Sequence, residues 1–331
     1  MKLNFIHAIL AIIVLAMNCF PATAQPEGEK AMFAQKPVLK NAQELVEALR
    51  QNRELRAIAD IQASLPNLMV GNRPDPKAME ALGEELRTGT EDTRVEIIKF
   101  LDEIRYFADP GHELRTPEVI ALLVGPALVQ GDNARGLAMR SLYTYASVPT
   151  LFRHKDVFTK ALREDPEGGE VLLLVAKAKA LEAREDVERL SRLPEWNVDG
   201  SPNEPVQIAR AALGDTKIED TFLAVAEKDQ YSEGPLLHLA QIGTKRSLQA
   251  VCQRVRSPLI VDLKGVHEKS VRLFAIDALR YAYPERPELA PFGIHSDEDY
   301  IKVEEFCIKE LGVRFHQPRP EFFTTIPYPI N

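Results

Sequence analysis

No G-x-S-x-G elbow, no Walker-type glycine loop and no catalytic cysteine signature occurs in the 331 residues. Hydrolases built on a strained nucleophile turn and phosphate-loop NTPases therefore lose their usual support. A continuous strand pattern is also missing, and after the N-terminus no apolar run approaches the roughly 20 residues that a membrane helix needs. Basic charge is not in excess: 41 Lys and Arg stand against 49 Asp and Glu, for a formal charge of -8. The cations alternate with acids, as between Glu182 and Arg192, whereas a surface that neutralises phosphates needs them clustered. Nucleic acid is not an expected partner.

What is present begins with an export signal. Met1 and Lys2 give a positive start, and Ala8 to Ala16 runs uncharged through Ile9, Leu10, Ile12, Ile13, Val14 and Leu15. Ala22 and Ala24 then stand in the A-x-A arrangement that a signal peptidase reads. The cut is expected after Ala24, leaving an acidic chain with no integral membrane segment, periplasmic or secreted. Met17 and Asn18 stand where a lipid attachment motif at Cys19 would want small residues.

The remainder carries a recurring helical stripe. An arginine is followed by apolar or small residues three and four places on and by leucine at seven: Arg94, Ile97, Ile98, Leu101; Arg135, Ala138, Met139, Leu142; Arg272, Ala275, Ile276, Leu279. These offsets fall on one helix face. The stripe persists without the arginine at Val171, Leu174, Val175, Ala178 and Leu181; at Val206, Ala209 and Leu213; and at Ser232, Leu236, Leu239 and Ile242. Glycines punctuate it. Gly89 and Gly131 suit the left-handed residue that closes a helix, with Asp92 and Asp132 as acceptors for the next N-terminus. Around Gly214 and Gly243 a helix, a glycine and a polar turn recur at a spacing that accommodates two helices and two turns.

Alanine- and leucine-rich helix pairs whose second helix opens Arg-x-x-Ala resemble HEAT-like repeats of the phycobilisome-lyase type, over roughly residues 77 to 283. The resemblance implies an all-α chain, a right-handed α-solenoid in which each pair is stable only when stacked on its neighbours. After the signal (1–24) and a linker (25–40), residues 41–76 read as an N-terminal helical cap and connector. Asn41 and Glu44 supply the capping arrangement, Leu45, Val46 and Leu49 the apolar side, and a second helix is expected from about residue 54 to 64. Residues 284–331 read as a capping helix opened by Ser296, closed by Gly312 and striped by Tyr300, Val303, Cys307 and Leu311. A Pro- and aromatic-rich tail follows, expected as an extended arm lying on the protein or on a partner.

Two His-Glu dipeptides, His112-Glu113 and His267-Glu268, are the residues from which a metal-dependent enzyme could be argued. The HEAT-repeat enzyme deoxyhypusine hydroxylase holds two irons with such dipeptides, but it has four at equivalent sites, so number and placement disagree here. His154, His238, His295 and His316 show no metal spacing. No catalytic residue, cofactor or metal is assigned. The expected activity is binding of a protein or peptide partner, with a role as accessory module of an envelope enzyme or assembly as the alternative. In a HEAT-like array the second helices line the concave side, so Phe100, Leu137, Arg140, Phe274 and Tyr281 are the candidate partner residues, and Trp196 a further one in a turn-rich insert from Pro194 to Pro205. Cys252 and Cys307 both fall on apolar stripes; an oxidising compartment favours their pairing, and two buried thiols are the alternative.

Intact mass of the exported protein is expected to give a chain beginning at Gln25; a species retaining residues 1 to 24, or a lipid on Cys19, contradicts the signal assignment.

Overall fold

The computed structural model describes residues 38–50, 61–70, 73–108, 114–128, 132–164, 169–198, 201–262, 269–289 and 296–319. Over these the chain is mostly helical. The first elements are α1 (Ala42–Arg50) and α2 (Ile61–Ser64), and the rest of the second expected cap helix lies outside the described residues. Hairpins follow: α3 (Pro76–Thr88) with α4 (Glu91–Ala108), then α5 (Pro117–Val124) with α6 (Asn133–Tyr145). Two short helices, α7 (Val148–Phe152) and α8 (Lys155–Glu164), precede α9 (Gly169–Lys177). Next come α10 (Arg184–Leu190) with α11 (Glu204–Ala212), α12 (Thr216–Lys228) with α13 (Glu233–Ile242), and α14 (Lys245–Gln253) with α15 (Val271–Ala282). The last is α16 (Asp297–Leu311). Three two-stranded antiparallel ribbons decorate the turns, pairing Met69 with Pro74, Asn197 with Pro202 and Ile260 with Ser270.

Local chemistry sets the boundaries. Asn41 accepts from the Glu44 amide at 3.0 Å while the Glu44 carboxylate accepts from the Lys40 amide at 2.9 Å, the reciprocal pair that opens α1. Asp132, Asn203, Asp215, Thr244 and Ser296 each accept from a backbone N–H in the first turn of the helix they precede. Gly243 and Gly312 close α13 and α16 at φ +60° and +70°. Two expectations need correction. Gly89 is extended, at φ -71°, and glycine is required there because a Cβ would come within 2.5 Å of the Glu85 carbonyl oxygen. Asp92 lies within the first turn of α4, and the acceptor for its start is the Thr90 hydroxyl, 3.3 Å from the Thr93 amide. Gly131 lies outside the described residues.

The six helices that carry the apolar stripe pack in chain order: α4 on α6, α6 on α9, α9 on α11, α11 on α13 and α13 on α15. The stripe residues of α4 and α6, Ile97, Ile98, Leu101, Ala138, Met139 and Leu142, are buried, as are Ala275, Ile276 and Leu279 of α15. At about 25 cal/mol per Å² this burial is what offsets the entropy of ordering such short helices. Two core clusters result, one from Leu39 to Leu213 and one from Ile208 to Val313, and α11 supplies side chains to both.

The arginine that opens the stripe ties one pair to the next. Arg94 of α4 ion-pairs with Asp132, the same carboxylate that caps α6 through the Arg135 amide. Arg135 then donates to the Ala161 carbonyl of α8 at 3.2 Å, and Arg272 sets its guanidinium 5.6 Å from the ring centre of Tyr300 in α16. In the unstriped partners a comparable link exists: buried Glu219 of α12 accepts from Ser247 at 2.8 Å and from Thr244, at the start of α14.

At the C-terminal end, Tyr300, Val303, Cys307 and Leu311 are buried as expected, and Cys252 of α14 is disulfide-bonded to Cys307 of α16, with Cα atoms 5.9 Å apart. The chain after α16 lies back on α14. Gln249 donates to the Leu311 carbonyl, Gln253 to that of Arg314 and Arg256 to that of Gln317. Phe315 lies 4.1 Å from the Arg256 guanidinium. Residues 320–331 of the expected arm lie outside the described residues.

Thiol counting in denaturant without reductant is expected to find neither Cys252 nor Cys307 free. Replacing both with alanine removes a loop closure over 55 residues, worth about 4 kcal/mol on entropy grounds; equal denaturation midpoints for the variant and the parent would contradict a stabilising bond.

Candidate binding groove

Among the side chains marked from the sequence, Arg140 is the exposed one. Its side chain is 60% exposed and pairs with Glu170 at 3.1 Å. Phe100, at 2%, lies in the core, and so does Trp196, at 8%, at the base of the hairpin that follows it. Leu137 and Phe274 are half-buried against the two core clusters. Tyr281 faces inward, its ring centre 6.1 Å from that of Tyr143 on α6, and its hydroxyl is buried with no hydrogen-bond partner among the described residues. The structure therefore brings Arg140, Tyr143 and Tyr281 toward one place, with Arg140 open and Tyr281 turned inward.

The cause is a curl in the row of striped helices. α9 touches α13 as well as its immediate neighbours, and its end reaches the ends of α6, α13 and α15 through two lysines. The Lys177 ammonium donates to the carbonyls of Tyr143 at 2.6 Å and Tyr281 at 2.8 Å and lies 4.4 Å from the Tyr281 ring centre. Lys179, the one non-glycine residue with positive φ among the described residues, donates to the Ile242 carbonyl at 2.6 Å. Helix C-termini leave carbonyls unpaired and carry partial negative charge, so a buried ammonium satisfies both. Burial pulls Lys177 down to about 7, with Glu285 opposing, and Lys179 down to about 8, with Glu219 opposing. The same burial, reinforced by Tyr143, raises the Tyr281 phenol.

The sequence reading passed over both lysines. The available signal was the position of Lys177, which interrupts the apolar run Val171 to Ala178 at a point where a solvated lysine would leave the stripe.

An open groove of about 640 Å³ lies elsewhere, between α10 and α11 and at the start of α12. Its floor is apolar, from buried Val187 and Leu213 with half-buried Leu193. Arg184, Arg189, Arg192 and Arg210 stand around it with Glu185, Glu188 and Asp215. Arg210 is fixed by Asp215 at 2.8 Å and Glu188 at 3.1 Å, and the more exposed Arg192 shares Glu188 at 3.2 Å. Arg189 reaches Asp186 at 3.5 Å. This is the span read from the sequence as alternating charge; the groove exists because α10 and the turn after α11 bring its arginines to one edge.

Leu181, expected on the stripe of α9, is exposed instead, because α9 ends at Lys177 and the positive φ of Lys179 turns the chain away; beside it lie the Lys155–Glu182 ion pair and exposed Phe152, whose ring centre is 5.1 Å from Lys155. His238 is half-buried against Phe222 and pairs with Glu204 at 3.1 Å, a structural role. Among the described residues no group of three His, Cys, Asp or Glu could hold a metal ion, and no helix is long and apolar enough to cross a membrane. Both His-Glu dipeptides lie outside the described residues. Comparison with protein-family models, with curated proteins and with solved structures gives no match.

The lysine pair makes stability depend on pH. Each folded-state value lies below the ordinary lysine value, so the unfolded chain holds more protons and stability rises with pH. Lys177 contributes a rise on the order of 1 kcal/mol per pH unit above pH 7, and Lys179 adds to it around and above pH 8. Lys177→Met is expected to remove most of the rise between pH 7 and 8 and about half of it between 8 and 9 in denaturant titrations; identical pH profiles would contradict a buried lysine of lowered pKa at this position.

Proposed function

We propose that the chain is an exported binding scaffold, a right-handed solenoid of HEAT-like helix pairs that captures a segment of a protein partner in the groove between α10 and α11. The observation that carries this reading is the groove itself: about 640 Å³, open, apolar at the floor and lined by four arginines in an acidic chain. Its volume falls in the range of sites that hold ligands. Arginine is enriched among the residues that carry binding energy at protein interfaces, and Phe152 and Leu181 are further exposed apolar side chains. The repeat pattern, the row of stacked striped helices and the arginine links between pairs support the HEAT-like reading. The signal-like N-terminus and the Cys252–Cys307 bond support export, since such bonds persist in oxidising compartments.

A crosslinking pulldown from the envelope fraction tests it with two variants of unchanged thermal stability. Arg189→Glu with Arg192→Glu is expected to reduce capture of the crosslinked partner at least tenfold. Arg140→Ala, at the exposed residue of the α6 ridge, is expected to leave capture within twofold. The opposite pattern would return the site to the ridge of α6 and α15.

A further inference from the structure

We propose that the groove recognises a carboxylate carried on an apolar stretch, an Asp or Glu side chain flanked by aliphatic residues in a partner segment, and that Arg184 receives it. This deepens the partner reading above and rests on it.

The argument starts from the ion pairs. Arg210, Arg192 and Arg189 are each committed to a carboxylate of α10 or to Asp215. Glu188 serves two of them at once. Arg184, at the start of α10 and on the same groove, is exposed and has no ion pair or hydrogen bond among the described residues. Its guanidinium is nevertheless placed: it lies over Gly214, where a Cβ would come within 2.6 Å of Nη2, and Gly214 holds φ +109°. A side chain at 214 would be strained in its own backbone and would fill the space that the guanidinium occupies. Glycine here gives the planar fork its seat, and a guanidinium fork matches a carboxylate with two parallel hydrogen bonds.

Charge decides between anions. Arg189, Arg192 and Arg210 are met by Asp186, Glu188 and Asp215, which leaves the Arg184 guanidinium as the one uncommitted positive charge of the groove among the described residues. That balances a carboxylate and falls short of a phosphate dianion. Shape decides what carries the carboxylate. Val187 and Leu213 form a floor that a bare anion would leave uncovered, while the small apolar area and the open mouth suit short aliphatic side chains better than a long acyl chain. Glu185 also lines the groove, with no ion pair among the described residues, so it opposes an incoming carboxylate and sets a sign that can be tested.

Isothermal titration of the whole chain with acetyl-Leu-Glu-Leu-amide, its Leu-Gln-Leu counterpart, dodecanoate and inorganic phosphate reads this out. Saturable binding of the Glu peptide is expected, at least tenfold weaker for the Gln peptide and for phosphate. Arg184→Gln should weaken the Glu peptide at least tenfold with unchanged thermal stability, Arg184→Lys should restore part of the loss, and Glu185→Gln should tighten binding about threefold. Equal affinity for the Gln peptide, tighter binding of phosphate or dodecanoate, or indifference to Arg184→Gln each overturns the inference. A flat peptide titration, in a protein whose Arg189→Glu, Arg192→Glu variant loses partner capture, overturns the carboxylate assignment alone. Peptide binding in a protein whose partner capture ignores the groove supports the carboxylate site and overturns the partner reading.

Discussion

The apolar stripe of α4, α6, α9, α11, α13 or α15 has nowhere to go except against the next helix of the row. Apart from α4, with 18 residues, these helices are at or below the length that is marginal alone in water, so each depends on a neighbour that covers its stripe. Everything else in the molecule is subordinate to that stacking. The two core clusters meet at α11, whose Val206 and Ala209 belong to one and Ile208 and Ala211 to the other. α11 thus joins the two clusters, and Arg210 of the same helix lines the groove.

Polar groups decide the geometry of the stack more than its strength. The Arg94–Asp132 pair buries a guanidinium, and such pairs recover little net stability once desolvation is counted. Yet Asp132 must also cap α6, which fixes where one pair sits on the next. Lys177 acts in the same way across a longer range: it ties the end of α9 to the ends of α6 and α15, segments far apart in the chain. The cost is an ammonium held near its limit of protonation by burial. In return the ends of these helices are held together and their orphan carbonyls satisfied.

That closure redirects the functional reading. A ridge of second helices offers a partner little where Phe100 is in the core and Tyr281 is covered by Tyr143 and Lys177. Among the described residues, the side formed by α10 and the turn at Gly214 is open. There the apolar floor remains accessible beneath arginines whose charge is only partly met by their neighbours.

The sequence by itself determined the helical class, the striped faces, the last helix from Ser296 to Gly312 and the inward placing of Cys252 and Cys307, because each follows from offsets of three, four and seven or from a cap residue within a turn of its target. It marked Arg94, Arg135 and Arg272 as a repeated feature without saying what they reach, since their targets, Asp132, Ala161 and Tyr300, lie in other pairs. Tertiary structure alone decided that Lys177 would be buried, that Gly89 is needed for a close carbonyl and not for a left-handed turn, and that the three arginines of an alternating-charge segment would meet Arg210 of α11 at one edge. The physical reason is the same in each case. Periodicity reports which side of a helix is apolar, but the curvature of the row and the meeting of distant helix ends depend on how units pack together, and no local pattern encodes that.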